Sequence, residues 1–332
     1  MEDVKRFVSE VKSGNFKPIY FLMGEEPYYI DQIAGLLERH VLEPHERDFN
    51  QMVLYGRDVS IDDIISQAKR YPMMADRQVV IVKEAQDLSR TIEQLAPYVE
   101  NPQPTTVLVI CYKYKTLDKR KKLYKALNKE GELFESKKLY ENQVPDWIRR
   151  VLKGRGYSIE PKAAQMLVEF IGTDLSKINN ELEKLQMIVP QGTAISPEII
   201  EENIGISKDF NNFELQKAIG ERNIKKAYSI AYHFAQNPKN HPLVMTVALL
   251  YSFFNKLLKY HALPDPSAAP KVLGVNPYFI KDYQVAARNY PMKRVSAIIK
   301  GIRKVDLKSK GVGAQNMSQG DLLKELLITI FD

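Results

Sequence analysis

Chemistry on phosphate needs a recognisable set of residues: glycines that let backbone amides approach, a lysine that reaches the outer oxygens, and a hydroxyl that holds magnesium. The strand-like run PIYFLM at 18–23 is where such a set would begin, and GEEPYYID follows it. That stretch offers one glycine, Gly24, then Glu25 and Glu26, whose charges repel phosphate, and no Gly-Lys-Ser or Gly-Lys-Thr. A later run, VVIV at 79–82, leads into Lys83, Glu84 and Ala85 without the metal-binding acid that a hydrolytic strand end carries. Glu84 therefore reads as a solvated charge. Five scattered histidines show no paired ligand spacing, which weighs against zinc. Cys111, the single cysteine, sits inside TTVLVIC and reads as a small core residue. No catalytic site, metal or cofactor is expected.

Two other stretches carry binding chemistry. Tyr71, Pro72, Met73 and Met74 precede the strand-like VVIV. Proline cannot continue the helix before it and biases Tyr71 toward extended backbone, so the four residues form a loop. Loops lie on the surface, where an aromatic ring and two thioethers suit burial in another molecule; the bland reading folds them under their own domain. The densest basic run is KYKTLDKRKKLYKALNKEG at 113–131. Leu123, Ala126 and Leu127 form its core-facing stripe, leaving Lys119, Arg120, Lys121 and Lys122 outside as candidate DNA-backbone contacts or as a solvated helix face.

The elements that position these residues follow from periodicity. Strand-like runs at Ile19 to Met23, Gln51 to Tyr55, Val79 to Val82, Thr106 to Cys111 and Glu132 to Glu135 alternate with helical patterns, the signature of an α/β domain with a parallel sheet. Ser60, with Asp63 three residues on, opens a helix whose buried stripe is Ile61, Ile64, Ile65 and Ala68. From about 141 the strands vanish; Pro145 and Pro161 suit first helical turns, and Leu175, Ile178, Leu182, Leu185 and Val189 repeat at helical spacing. Trp147 reads as core and Gly172 as a helix C-terminal cap. From about 209 long amphipathic runs continue to the end, broken by PDPSAAP at 264–270, the most linker-like segment.

A chain of 332 residues is too long for one ordinary core. Its 44% hydrophobic and 27% charged residues mark a globular protein, and its net charge of +7 permits an acidic partner without proving one. No apolar stretch is long enough to span a bilayer. The N-terminal MEDVKRFVSEVKSGN mixes acids with bases and sets Val4, Phe7, Val8 and Val11 on one helical face, unlike a signal peptide, so a cytoplasmic protein without membrane contact is expected.

Four stretches in order along the chain, PIYFLMGEEPYYID, ADRQVVIVKEAQDL, GTDLSKINNELEKL, and LGVNPYFIKDYQVAARNY with DLKSKG, resemble the delta subunits of bacterial DNA polymerase III clamp loaders. The resemblance implies a degenerate P-loop NTPase-like domain of AAA+ type at 1–140, a helical lid at 141–208 and a helical collar for subunit assembly at 209–332. It implies a non-ATPase subunit of the DNA-directed DNA polymerase (nucleotidyltransferase) holoenzyme that binds the ring-shaped sliding clamp (beta) and holds it open for loading onto primed DNA. The further partners it implies are the gamma/tau and delta-prime subunits, met through the C-terminal domain. The clamp-binding element of the family lies between a helix and the strand that begins the second stretch, which here is Tyr71, Pro72, Met73 and Met74. Some relatives carry leucine and phenylalanine at that tip, where two methionines stand here. The alternatives from other classes are a divergent nucleotide hydrolase acting on nucleic acid and a helical scaffold unrelated to replication.

Overall fold

The computed structural model describes residues 7–9, 11, 13–204, 210–313 and 317–332. The chain divides into two compact units, Met1–Leu139 and Tyr140–Asp332.

The first unit is built on five parallel strands, β1 (Ile19–Gly24), β2 (Gln51–Tyr55), β3 (Gln78–Lys83), β4 (Thr106–Lys113) and β5 (Glu132–Ser136), in the order β2-β3-β4-β1-β5. Parallel strands need crossovers, and helices α1 (Pro27–His40), α2 (Ile61–Ala68) and α3 (Lys122–Glu130) lie between them in sequence. The inner strands are apolar on both faces because both are covered. Ile19, Phe21 and Met23 of β1 meet Ile64 of α2 and Leu123 and Leu127 of α3, while Tyr20 and Leu22 point the other way, onto Phe7 and Ile30, Ile33 and Leu37 of α1. Every strand expected from the sequence is present, each within two residues of its expected ends. Phe7 and Val11 are buried as expected, whereas Val4 lies outside the described residues. Cys111 is buried in β4, and burial pushes its thiol up to about 12, as befits an inert core residue.

The second unit begins with α4 (Val144–Gly154), α5 (Pro161–Ile171), α6 (Leu175–Ile188) and α7 (Pro197–Ile204). Trp147 is fully buried, and the stripe from Leu175 to Val189 faces the core. Two findings correct the expectations. Strands do not vanish after 141: β6 (Ser158–Ile159) and β7 (Ala194–Ile195) form a short parallel ladder, too brief to leave a periodic signal. The boundary expected at 208–209 falls outside the described residues.

The remaining helices are α8 (Asn212–Gly220), α9 (Ile224–Gln236), α10 (Leu243–His261), α11 (Ala269–Leu273), α12 (Ile280–Asn289), α13 (Met292–Ser309) and α14 (Gln319–Phe331). Their common core is rich in rings, with Phe234, Phe253, Phe254 and Tyr290 fully buried. The linker-like 264–270 is the second correction. Asp265 caps a helical turn by accepting the Ser267 N–H at 2.8 Å, and Pro266 and Pro270 each stand in a first turn, where a missing N–H costs nothing. The segment thus leads straight into α11, whose Ala269 and Leu273 are core residues. Glu214 of α8, almost fully buried, ties three helices together: it accepts from Lys162 of α5 at 2.6 Å and from Lys226 of α9. No helix among the described residues is long and apolar enough to cross a membrane.

Candidate functional site

The C-terminal edge of a parallel sheet is where ligands of α/β folds bind, and here that edge is occupied by the chain itself. Gly24 ends β1 at φ 125°, and its neighbours turn inward: the Glu25 N–H donates to Ser136 O at 3.1 Å and the Glu26 N–H to Ser136 Oγ at 3.1 Å. The two amides that follow the glycine are therefore spent within the fold. Glu26 is nearly fully buried and caps α1, its Oε1 accepting the Tyr28 N–H at 3.2 Å. A carboxylate sits on the helix N-terminus, the position that favours an anion.

Beside it, Lys113 at the end of β4 places its ammonium 2.9 Å from Asp31 of α1 and 2.7 Å from Glu84. Glu84 adopts a left-handed φ of 53° and also accepts from Gln86 at 2.7 Å, while Gln86 Oε1 accepts the Lys113 N–H at 3.2 Å. Burial opposes both charges, but the hydrogen bonds between them outweigh it, so Lys113 is shifted up and Glu84 down. Glu84 is thus an ion-pair partner rather than the solvated charge its sequence context suggests. Its lysine lies 29 residues away, beyond the reach of any local pattern. Among the described residues no cluster of three His, Cys, Asp or Glu side chains is arranged to hold a metal.

The second candidate is the loop between α2 and β3. Its tip is exposed: Tyr71 is 79% accessible, Met73 60% and Met74 fully accessible, with Pro72 half-buried. The backbone beneath is fixed from both ends. Carbonyls at the end of α2, orphaned by the helix terminus, are taken up by buried side chains. Thr106 Oγ1 donates to Ala68 O at 2.8 Å, and Gln78 Nε2 donates to Arg70 O at 2.6 Å and Thr106 Oγ1 at 2.8 Å. The tip is pinned by Asn50, a buried residue immediately before β2, whose amide bonds both the N–H and the carbonyl of Met73. Arg77, at the loop's far end, stacks over the Phe16 ring at 5.3 Å. Met74 has φ 52°, a left-handed conformation that costs a non-glycine residue about 1–2 kcal/mol. Strain, exposed apolar side chains and a pinned backbone coincide here.

Sequence reasoning missed two residues of this region. Asn50 bonds Met73 across 23 positions. Phe49, its neighbour, is 74% exposed and adds a further ring next to the pin. Only Phe49 left a sequence trace, as an apolar residue among the charges of HERDFN.

The four basic candidates divide differently. Lys119 lies 3.6 Å from Glu135, Arg120 2.8 Å from Asp118 and Lys122 3.0 Å from Glu100. Lys121 alone has no ion pair among the described residues. Three of the four candidates thus lie beside an acid, at exposed positions where such pairs are weak.

The family model of the DNA polymerase III delta subunit matches residues 20–137, and that of the C-terminal domain of the same subunit family matches residues 209–329. The chain is 26% identical to DNA polymerase III subunit delta of Bacillus subtilis, over 97% of its own length and 93% of the relative's. Its fold is similar to that of the solved Bacillus subtilis DNA clamp loader delta protein, with a TM-score of 0.56, 24% identity and 99% of each chain covered.

Proposed function

Because the chain belongs to the delta subunit family of DNA polymerase III, the clamp-loader subunit with an AAA+-like fold, we propose that it binds the sliding clamp through Tyr71, Pro72, Met73 and Met74. The observation that carries this reading is the tip itself: apolar side chains displayed in water on a backbone that Asn50 and Gln78 hold rigid. Rigid presentation matters because a binding loop that is already ordered loses less entropy on docking. Methionine is flexible enough to fill an irregular pocket, and a few such buried groups dominate an interface.

In this reading the tip lowers the free energy of the open ring by binding it better than the closed one. Residues 1–140 carry the tip, 141–208 act as the lid, and 209–332 assemble with gamma/tau and delta-prime subunits around primed DNA in the cytoplasm. The protein itself turns over no ATP; its timing comes from the ATP state of its partners.

Clamp binding by wild type beside Met73→Ala plus Met74→Ala tests the proposal, with circular dichroism to show that both fold. Burial of each Met contributes about 1.5–3 kcal/mol, so the double variant loses a hundredfold or more in affinity. Equal binding would remove the loop from the mechanism.

A further inference from the structure

Three neighbouring strands of the first unit begin around a cleft of about 230 Å³. Pro18 stands just before β1, Arg77 just before β3 and Pro104 just before β4, and these strands are adjacent in the sheet. The cleft therefore opens at the N-terminal ends of the strands, opposite the edge that Glu26 caps and Lys113 bridges.

Its walls are apolar and stiff. Phe16, Pro18, Pro102 and Pro104 line it, and the proline rings fix their own φ, so the hollow exists before anything enters it. Two cations, Lys17 and Arg77, complete the lining. The Arg77 guanidinium stacks over the Phe16 ring at 5.3 Å, an arrangement that leaves its N–H edge free for a planar anion. Half-buried, it has no hydrogen bond or ion pair among the described residues, not even with Asp76 beside it. The Lys17 ammonium is likewise unpaired among them; that residue's one bond runs from its backbone N–H to the Tyr20 hydroxyl at 3.0 Å. Thr106, also in the lining, has its hydroxyl occupied by Ala68 O and Gln78.

We propose that this cleft is a second anchor for the sliding clamp: it takes an acidic side chain of the clamp, whose carboxylate bonds Lys17 and Arg77 while an adjoining apolar residue lies on the proline rings. This contact rests on the reading of the tip as clamp-binding and gives that interface a charged partner with defined chemistry. Size favours one protein side chain over a free metabolite, since small-molecule pockets span roughly 300–1,000 Å³ and in α/β folds lie at the other ends of the strands. Apolar walls favour it over a phosphate backbone, which has nothing to bury there. Position favours the clamp. Arg77 follows Met74 by three residues, so their Cα atoms stand at most about 11 Å apart, and a partner that swallows the tip is pressed against the cleft.

The test is surface plasmon resonance of the full-length chain on immobilised clamp at about 150 mM salt, where distant charges are screened. Lys17→Glu is the main variant, because the side chain is exposed and its backbone bond to Tyr20 survives the change. Lys121→Glu is the control: it makes the same change in charge beyond the far end of β4, at least a strand length of about 25 Å away. Circular dichroism verifies each fold. Lys17→Glu should bind about tenfold more weakly, chiefly through faster dissociation, as expected for a seated carboxylate rather than long-range steering. Lys17→Gln should fall between it and wild type, and Lys121→Glu should stay within about twofold of wild type. Unchanged binding by Lys17→Glu, while Met73→Ala plus Met74→Ala loses affinity, overturns the cleft and spares the tip. Equal losses in Lys17→Glu and Lys121→Glu, or a loss confined to the association rate, overturn it as well. Undiminished binding by the double methionine variant instead sinks the clamp-docking reading on which the cleft's partner depends.

Discussion

Asn50 grips Met73 by both faces of its peptide: Oδ1 accepts the Met73 N–H at 2.6 Å and Nδ2 donates to the Met73 carbonyl at 2.9 Å. A third bond, from Nδ2 to Glu46 O at 3.0 Å, fixes the amide itself. Asn50→Ala removes all three and leaves partly buried backbone groups to water, which costs about 1 kcal/mol. Clamp affinity should fall roughly tenfold even though Asn50 is buried, because the tip must then be ordered on binding. Asn50→Asp keeps an acceptor for the Met73 N–H but sets a carboxylate oxygen against the Met73 and Glu46 carbonyls, so its affinity should fall at least as far as that of Asn50→Ala. Calorimetric titration with clamp, paired with urea unfolding, separates loss of order from loss of fold.

Gly24 has no room for a side chain. A Cβ there would stand 2.1 Å from Ser136 O, and φ 125° is a region that L-residues rarely adopt. Gly24→Ala should destabilise the first unit by about 3 kcal/mol or more, the sum of a forced shift and backbone strain. A drop in urea midpoint with an unchanged slope would agree; wild-type stability would show that the turn has another available geometry.

Glu169 of α5 supplies a pH dependence. Its Oε2 accepts the Phe213 N–H at 3.1 Å, at the start of α8. Loss of hydration pushes its carboxyl up to about 8 from the ordinary 4.5, and the nearby Glu141 and Glu214 add to the effect. The folded state therefore holds this proton more tightly than the unfolded chain does. Its contribution to stability is complete below about 4.5 and is lost progressively as pH rises toward 8. The urea midpoint of wild type should decline between these values relative to Glu169→Gln, which stays neutral and still offers an oxygen to Phe213. Parallel pH profiles of the two proteins would exclude the effect.

Nucleotide should find no purchase on the first unit. The amides of Glu25 and Glu26 are given to Ser136, and Lys113 is committed to Asp31 and Glu84. Millimolar ATP with magnesium should leave the thermal midpoint unchanged and yield no phosphate. Either a reproducible rise or turnover by the purified chain would favour the hydrolase alternative.

Elements with dense local signals were legible in the sequence. β3 announced itself by four β-branched residues, and the α2 start by Ser60 and Asp63, whose reciprocal bonds the structure contains. Pro266 and Pro270 misled, because the same residue that breaks a helix interior also starts a helix, and only the Asp265 cap distinguishes the two cases. At the tip, the identity of the apolar residues could be read but not what holds them. The bonds from Asn50 to Met73, and from Lys113 back to Asp31, join parts of the chain that only the fold makes neighbours.

Glu26, lodged against the start of α1, amounts to a resident anion that can be neither released nor consumed. Its charge travels with the chain and is fixed in place by the cap bond to the Tyr28 N–H. A helix end filled from within is closed to an exchangeable anion, so no cycle of ligand uptake and release can run at that place.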